Sequence, residues 1–167
     1  MANNKFIPHT KLRFFKICLL GCLLSGSAFG QVSKGFKLLE KNQNLPQAES
    51  IFKSSIATDT DLAAAHYGLS LLYTNPAFNQ PDPYEAFAQW RKAESYWQQS
   101  PPSDQNRQAN KFNLSAATLQ NLRQNITNQA FAQAQSENSL AIYERFLKFS
   151  RQPLPGCLRK RKKPPGS

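Results

Sequence analysis

Residues 62–97 read LAAAHYGLSLLYTNPAFNQPDPYEAFAQWRKAESYW, and the fold class turns on how their apolar positions are spaced. Ala64, Tyr67, Gly68 and Leu71 recur at i, i+3, i+4 and i+7, which places them on one side of a helix with 3.6 residues per turn. Asn75-Pro76 closes that helix, because proline lacks an N–H and holds its predecessor away from helical geometry. After a polar stretch through Asp82-Pro83, Ala86, Trp90, Ala93 and Trp97 fall at i, i+4, i+7 and i+11, and Pro101-Pro102 ends the run. Asp59 or Asp61 is the expected cap of the first helix. The period-two alternation of a half-buried strand is absent from the whole stretch.

The same spacing continues outward. Ala48, Ile51, Phe52, Ser55 and Ile56 share a helical face, with Pro46 in the opening turn, where its missing N–H does no harm. Downstream, residues 103–110 read as a linker. Leu119, Leu122, Ile126 and Ala130 mark a long helix, and Leu140, Tyr143, Phe146 and Leu147 mark a last one that Pro153 and Pro155 close. Five or six helices joined by short turns make an all-α fold of antiparallel helix–turn–helix units, either a short solenoid or an irregular bundle. Of the 167 residues, 40% are hydrophobic and 19% charged, enough for one core rather than two.

The intervals between small and aromatic residues repeat. Ala48, Phe52 and Ser55 are separated by four and three positions, as are Ala86, Trp90 and Ala93, and Ser139, Tyr143 and Phe146. Together with Tyr67, Gly68 and Leu71, this pattern resembles the tetratricopeptide repeat, a two-helix unit of about 34 residues in about three degenerate copies here. The resemblance implies that small residues let paired helices approach while an aromatic from the second helix wedges between them. Gly68 alone stands at the glycine position of a first helix. Phe52, Trp90 and Tyr143 lie 38 and 53 residues apart, so the extra residues belong to the turns. The resemblance further implies a concave groove lined by first helices, which here would present Leu62, Ala65, His66, Leu69 and Tyr73 to a protein or peptide. Packing of the same residues against a neighbouring helix is the alternative.

The ends have a different character. A basic stretch to Lys16, an apolar run 17–24 and the small-residue stretch Ser25 to Gly30 have the layout of a secretory signal peptide, with Ala28-Phe29-Gly30 as the cleavage site. The run is too short to cross a hydrocarbon core of about 30 Å. Leu19-Leu20-Gly21-Cys22 also resembles a lipobox, in which Cys22 would be acylated, so a lipid-anchored envelope protein is the alternative to a secreted or periplasmic one. Removal of the leader takes Cys18 and Cys22 with it and leaves Cys157, so no disulfide within the mature chain is expected. Residues 151–167 form a basic, proline-rich tail, either unstructured or the product of a truncated or frame-shifted end.

The net charge of +11 therefore belongs to the ends: between residues 31 and 150 eleven basic residues face ten acidic ones. A near-neutral body and an exported chain argue against a nucleic-acid partner. A membrane-surface role would run through Cys22 or the tail. No phosphate-binding glycine loop occurs, the acids are scattered, and neither of the two histidines, His9 and His66, has ligand-spaced partners. No catalytic residue, metal or cofactor is therefore expected. The expectation is an exported, non-enzymatic adaptor of the cell envelope that binds another protein or peptide.

Overall fold

The structure, a computed structural model, describes residues 30–151. The readings of the leader, of Cys22 and of the basic tail fall outside the described residues, apart from Gly30 and Arg151. Seven helices follow one another: α1 (Gln31–Glu40), α2 (Leu45–Ala57), α3 (Leu62–Tyr73), α4 (Pro83–Gln99), α5 (Pro102–Phe112), α6 (Ala116–Glu137) and α7 (Leu140–Ser150). The fold is all-α, as the periodicity implied, and no strand occurs among the described residues.

Short polar residues shape the turns. Asn42, Asn44, Asp59, Asp61, Asn113 and Asn138 all adopt positive φ, between 43° and 53°. Asn and Asp enter this left-handed region at lower cost than other side chains, so the chain reverses there without glycine. At the start of α4, Asp82 caps the helix by accepting from the Tyr84 and Glu85 amides at 2.8 and 3.2 Å, with Pro83 as the first helical residue. Ser115 and Thr118 form a reciprocal capping box at the start of α6. Asp61 corrects its expected role: it precedes α3, but its side chain makes no capping bond and instead accepts from Arg107 at 3.0 Å.

Residues 103–110, read as a linker, lie within helix α5. Pro102 opens that helix, and it buries only Gln108 and Phe112. Two buried residues in eleven are too few to produce a periodic apolar pattern, which is why it read as a loop.

Packing centres on α3, which is adjacent to α1, α2 and α4. Ten of its twelve residues are buried, consistent with a helix that is apolar on nearly every side. The Phe52 ring of α2 sits against both Gly35 of α1 and Gly68 of α3. A Cβ at Gly35 would lie 2.8 Å from Cε1 of that ring, and one at Gly68 only 2.5 Å from the same atom. Gly68 is thus not alone: Gly35, 33 residues earlier, holds the equivalent place in α1. Ser70 adds a hydrogen bond from α3 to the Ala86 carbonyl of α4 at 2.8 Å.

In the next layer, Trp90 of α4 is 1% exposed, stacks on Phe87 with centroids 5.2 Å apart, and donates from Nε1 to the Leu119 carbonyl of α6 at 2.8 Å. Ala48, Ala86 and Ala93 are wholly buried, Tyr67 is buried and Leu71 half-buried. The last helix departs from expectation. Leu140 and Leu147, read as part of its packed face, are 76% and 46% exposed, and Tyr143 is only half-buried. Phe149 is the aromatic that α7 buries, against Phe87 at 4.2 Å and Tyr84 at 5.6 Å.

A test of this packing is Gly68→Ala. Helix propensity alone would stabilise α3 by about 1 kcal/mol, but the new methyl would overlap a fully buried ring, at a cost of about 1–3 kcal/mol. Urea unfolding is expected to show net destabilisation, with a smaller loss for Gly35→Ala; a gain in stability for Gly68→Ala would contradict the close approach of Phe52.

Candidate binding surfaces

The face of α3 that the resemblance assigned to a groove is closed. Ala65, His66, Leu69 and Tyr73 are 0, 4, 2 and 8% exposed, and Leu62 is half-buried. Four of the five side chains are therefore packed within the fold, which is the alternative the sequence left open. The chain's own groups occupy them. Tyr73 donates from its hydroxyl to Glu49 of α2 at 2.8 Å. Helix α5 packs beside α1 and reaches the head of α3: Phe112 stacks on Phe36 of α1 at 5.1 Å, and Arg107 reaches Asp61, which precedes α3. The Asp61 side chain is 2% exposed, so this ion pair is anchored on a buried carboxylate.

His66 illustrates what a buried polar group on this face does. Its Nδ1 lies 2.6 Å from Oε1 of Gln89, and the Gln89 amide nitrogen donates to Glu85 at 2.7 Å. That chain assigns the proton to Nδ1 as donor. The imidazole also stacks on Tyr96 with centroids 5.6 Å apart and planes 2° from parallel. Burial pushes the His66 pKa below its usual value and outweighs the Gln89 hydrogen bond, which favours the charged form; Lys92 adds a repulsion in the same direction as burial. The arrangement is a satisfied interhelical link between α3 and α4. No nucleophile or carboxylate converges on it, and among the described residues no group of three His, Cys, Asp or Glu is placed to hold a metal ion.

Among the described residues, two surfaces that the sequence did not single out are open. The first is the outer edge of the α6–α7 hairpin, where Phe131, Leu140 and Leu147 are 45, 76 and 46% exposed. The second is a cleft of about 500 Å³ between α4 and α7, walled by Tyr84, Phe87 and Phe149, with Arg91, Lys92, Arg145 and Lys148 around it. Arg145 lies 3.9 Å above the Tyr84 ring and 3.7 Å from Asp82. Its basic character escaped the sequence because Arg91 and Lys92 lie more than fifty residues before Arg145 and Lys148. No helix among the described residues is long and apolar enough to cross a membrane.

Comparison with protein families, with curated proteins and with solved structures gave no match in any of the three.

The lowered His66 pKa fixes a sign for the pH dependence of stability. Above the ordinary imidazole value of 6.5 both the folded and unfolded side chain are neutral and the full stability is present. As the pH falls below it, the unfolded chain takes up the proton first, so stability declines until the folded pKa is passed. His66→Gln is expected to reduce the loss in urea midpoint between about pH 7.5 and pH 5. Equal losses in the variant and the parent would show that the imidazole is not held neutral by burial.

Proposed function

We propose that this chain is a non-enzymatic, tetratricopeptide-like adaptor of the cell envelope, exported by its N-terminal leader, that binds a protein partner through the outer edge of α6 and α7. The observation that carries the reading is the exposure of Leu140, Leu147 and Phe131 on one hairpin. Helical repeats bury such residues against a following helix or screen them with a polar cap. Here an amphipathic helix of a partner is the natural cover, with its apolar positions laid along α7. The repeat character is supported by the 33-residue spacing of Gly35 and Gly68, both pressed by one aromatic ring. The leader, with its basic, apolar and small-residue zones, supports export.

This reading moves the partner surface away from α3. The burial of Ala65, His66, Leu69 and Tyr73, with Tyr73 bonded to Glu49 and His66 to Gln89, supports that choice.

The test is affinity capture from envelope extracts with the full chain and with a Leu140→Lys/Leu147→Lys variant. Both leucines are exposed, so folding stability is expected to change by less than about 0.5 kcal/mol per site. A protein retained by the parent and reduced about tenfold in the variant is the expected result, a difference of about 1.4 kcal/mol in binding. Equal capture by both forms, or capture of nothing by the parent, would sink the proposal.

A further inference from the structure

We propose that the α4–α7 cleft binds a small organic anion with an apolar body, of which a medium-chain carboxylate is the simplest example. Three independent features of the cleft point to such a ligand.

The first is shape and wall chemistry. At about 500 Å³ the cleft is of small-molecule size. Tyr84, Phe87 and Phe149 are 8, 6 and 5% exposed. Because these rings already pack on one another, they offer apolar walls rather than a free face for stacking a base. An alkyl or compact cyclic body suits such walls better than a nucleobase does.

The second is charge. Between residues 31 and 150 the chain is nearly neutral, yet four of its cations surround one cleft and no carboxylate is among the lining residues. Two of the four are engaged: Arg145 with Asp82 and the Tyr84 ring, and Arg91 within the fold. Among the described residues, no carboxylate lies within ion-pair distance of Lys92 or Lys148, one from each wall. Cations gathered above apolar walls focus a positive potential on the space between them.

The third is an unmet hydrogen bond. The Tyr84 hydroxyl is buried and has no partner among the described residues, although buried polar groups are nearly always paired. Tyr84 is one of the residues lining the cleft, and on this proposal the acid group of the ligand is the acceptor that its hydroxyl lacks. The phenol is neutral and can donate, since burial pushes its pKa up, Arg145 opposes that, and the Glu137 and Asp82 carboxylates add to it. Anion, apolar body and acceptor are thus one requirement.

The proposal is independent of the adaptor role, which depends on Leu140 and Leu147 at the outer edge. Its test is titration calorimetry of the full chain with octanoate, octylammonium and acetate, repeated on Lys92→Gln/Lys148→Gln and on Tyr84→Phe. Octanoate is expected to bind one-to-one, with octylammonium and acetate at least about tenfold weaker, and the double lysine variant weakened by about tenfold. Tyr84→Phe keeps the ring and removes only the unpaired hydroxyl, so it is expected to weaken octanoate several-fold while leaving the melting temperature unchanged or raised. A residue with a merely structural hydroxyl would lower the melting temperature and leave affinity untouched, and that result would overturn the assignment. So would absence of octanoate binding, equal binding of octylammonium, or affinity unaffected by the lysine substitutions. Vesicles of phosphatidylglycerol supply the remaining arm: association with them in the absence of octanoate binding would mark a lipid-surface patch and overturn the cleft as a site.

Discussion

The contact on which the rest of the structure depends is the Phe52 ring held between Gly35 and Gly68. A single wholly buried side chain on α2 packs against both α1 and α3, and a Cβ at either glycine would come within 2.9 Å of its ring, so ring or helices would have to move. Once α3 is set in this way its remaining faces have defined neighbours. Ser70 bonds to α4, His66 bonds to Gln89 of α4, and Tyr73 returns to Glu49 of α2. Trp90 passes the arrangement on to α6 by packing on Phe87 and bonding to the Leu119 carbonyl. Buried aromatic rings, Phe52 against two glycines and Trp90 against Phe87, therefore link successive layers.

That arrangement decides where recognition is available. A helix contacted by three others, with an additional helix tied to its head through Arg107 and Asp61, has little surface left for a partner. The open chemistry is displaced to α7. One side of α7 carries Leu140 and Leu147 into solvent, and another contributes Arg145, Lys148 and Phe149 to a cleft shared with α4. Protein docking and small-anion binding thus draw on different residues of the same helix.

Most of the helical core was legible in the sequence, because its signal is local. Phe52, Trp90, Leu119, Leu122 and Ile126 repeat with helical period and are buried as that period implies. What escaped was set by tertiary context. Helix α5 is polar along its length and is held by two buried residues and by Arg107, none of which generates periodicity. Gly35 gains its meaning only from a ring seventeen positions later, and Asp61 gives up its cap for a partner on another helix. On α7 the pattern was correct for a helix and misleading for burial, since periodicity shows which residues share a side but not what covers them. The periodicity of α3 left open, for the same reason, whether its face meets a partner or a neighbouring helix, and the cleft was invisible because its cations converge from distant segments.

The central claim is that one ring sets the spacing of the first three helices, and a double-mutant cycle between Gly68→Ala and Phe52→Leu measures it most directly. Shrinking the ring opens room for the new methyl, so the pair should be more stable than the sum of its single changes predicts, with a coupling of about 1 kcal/mol or more by urea unfolding. Additivity within about 0.3–0.5 kcal/mol would mean that the ring and the glycine do not share the same space, and would contradict the account.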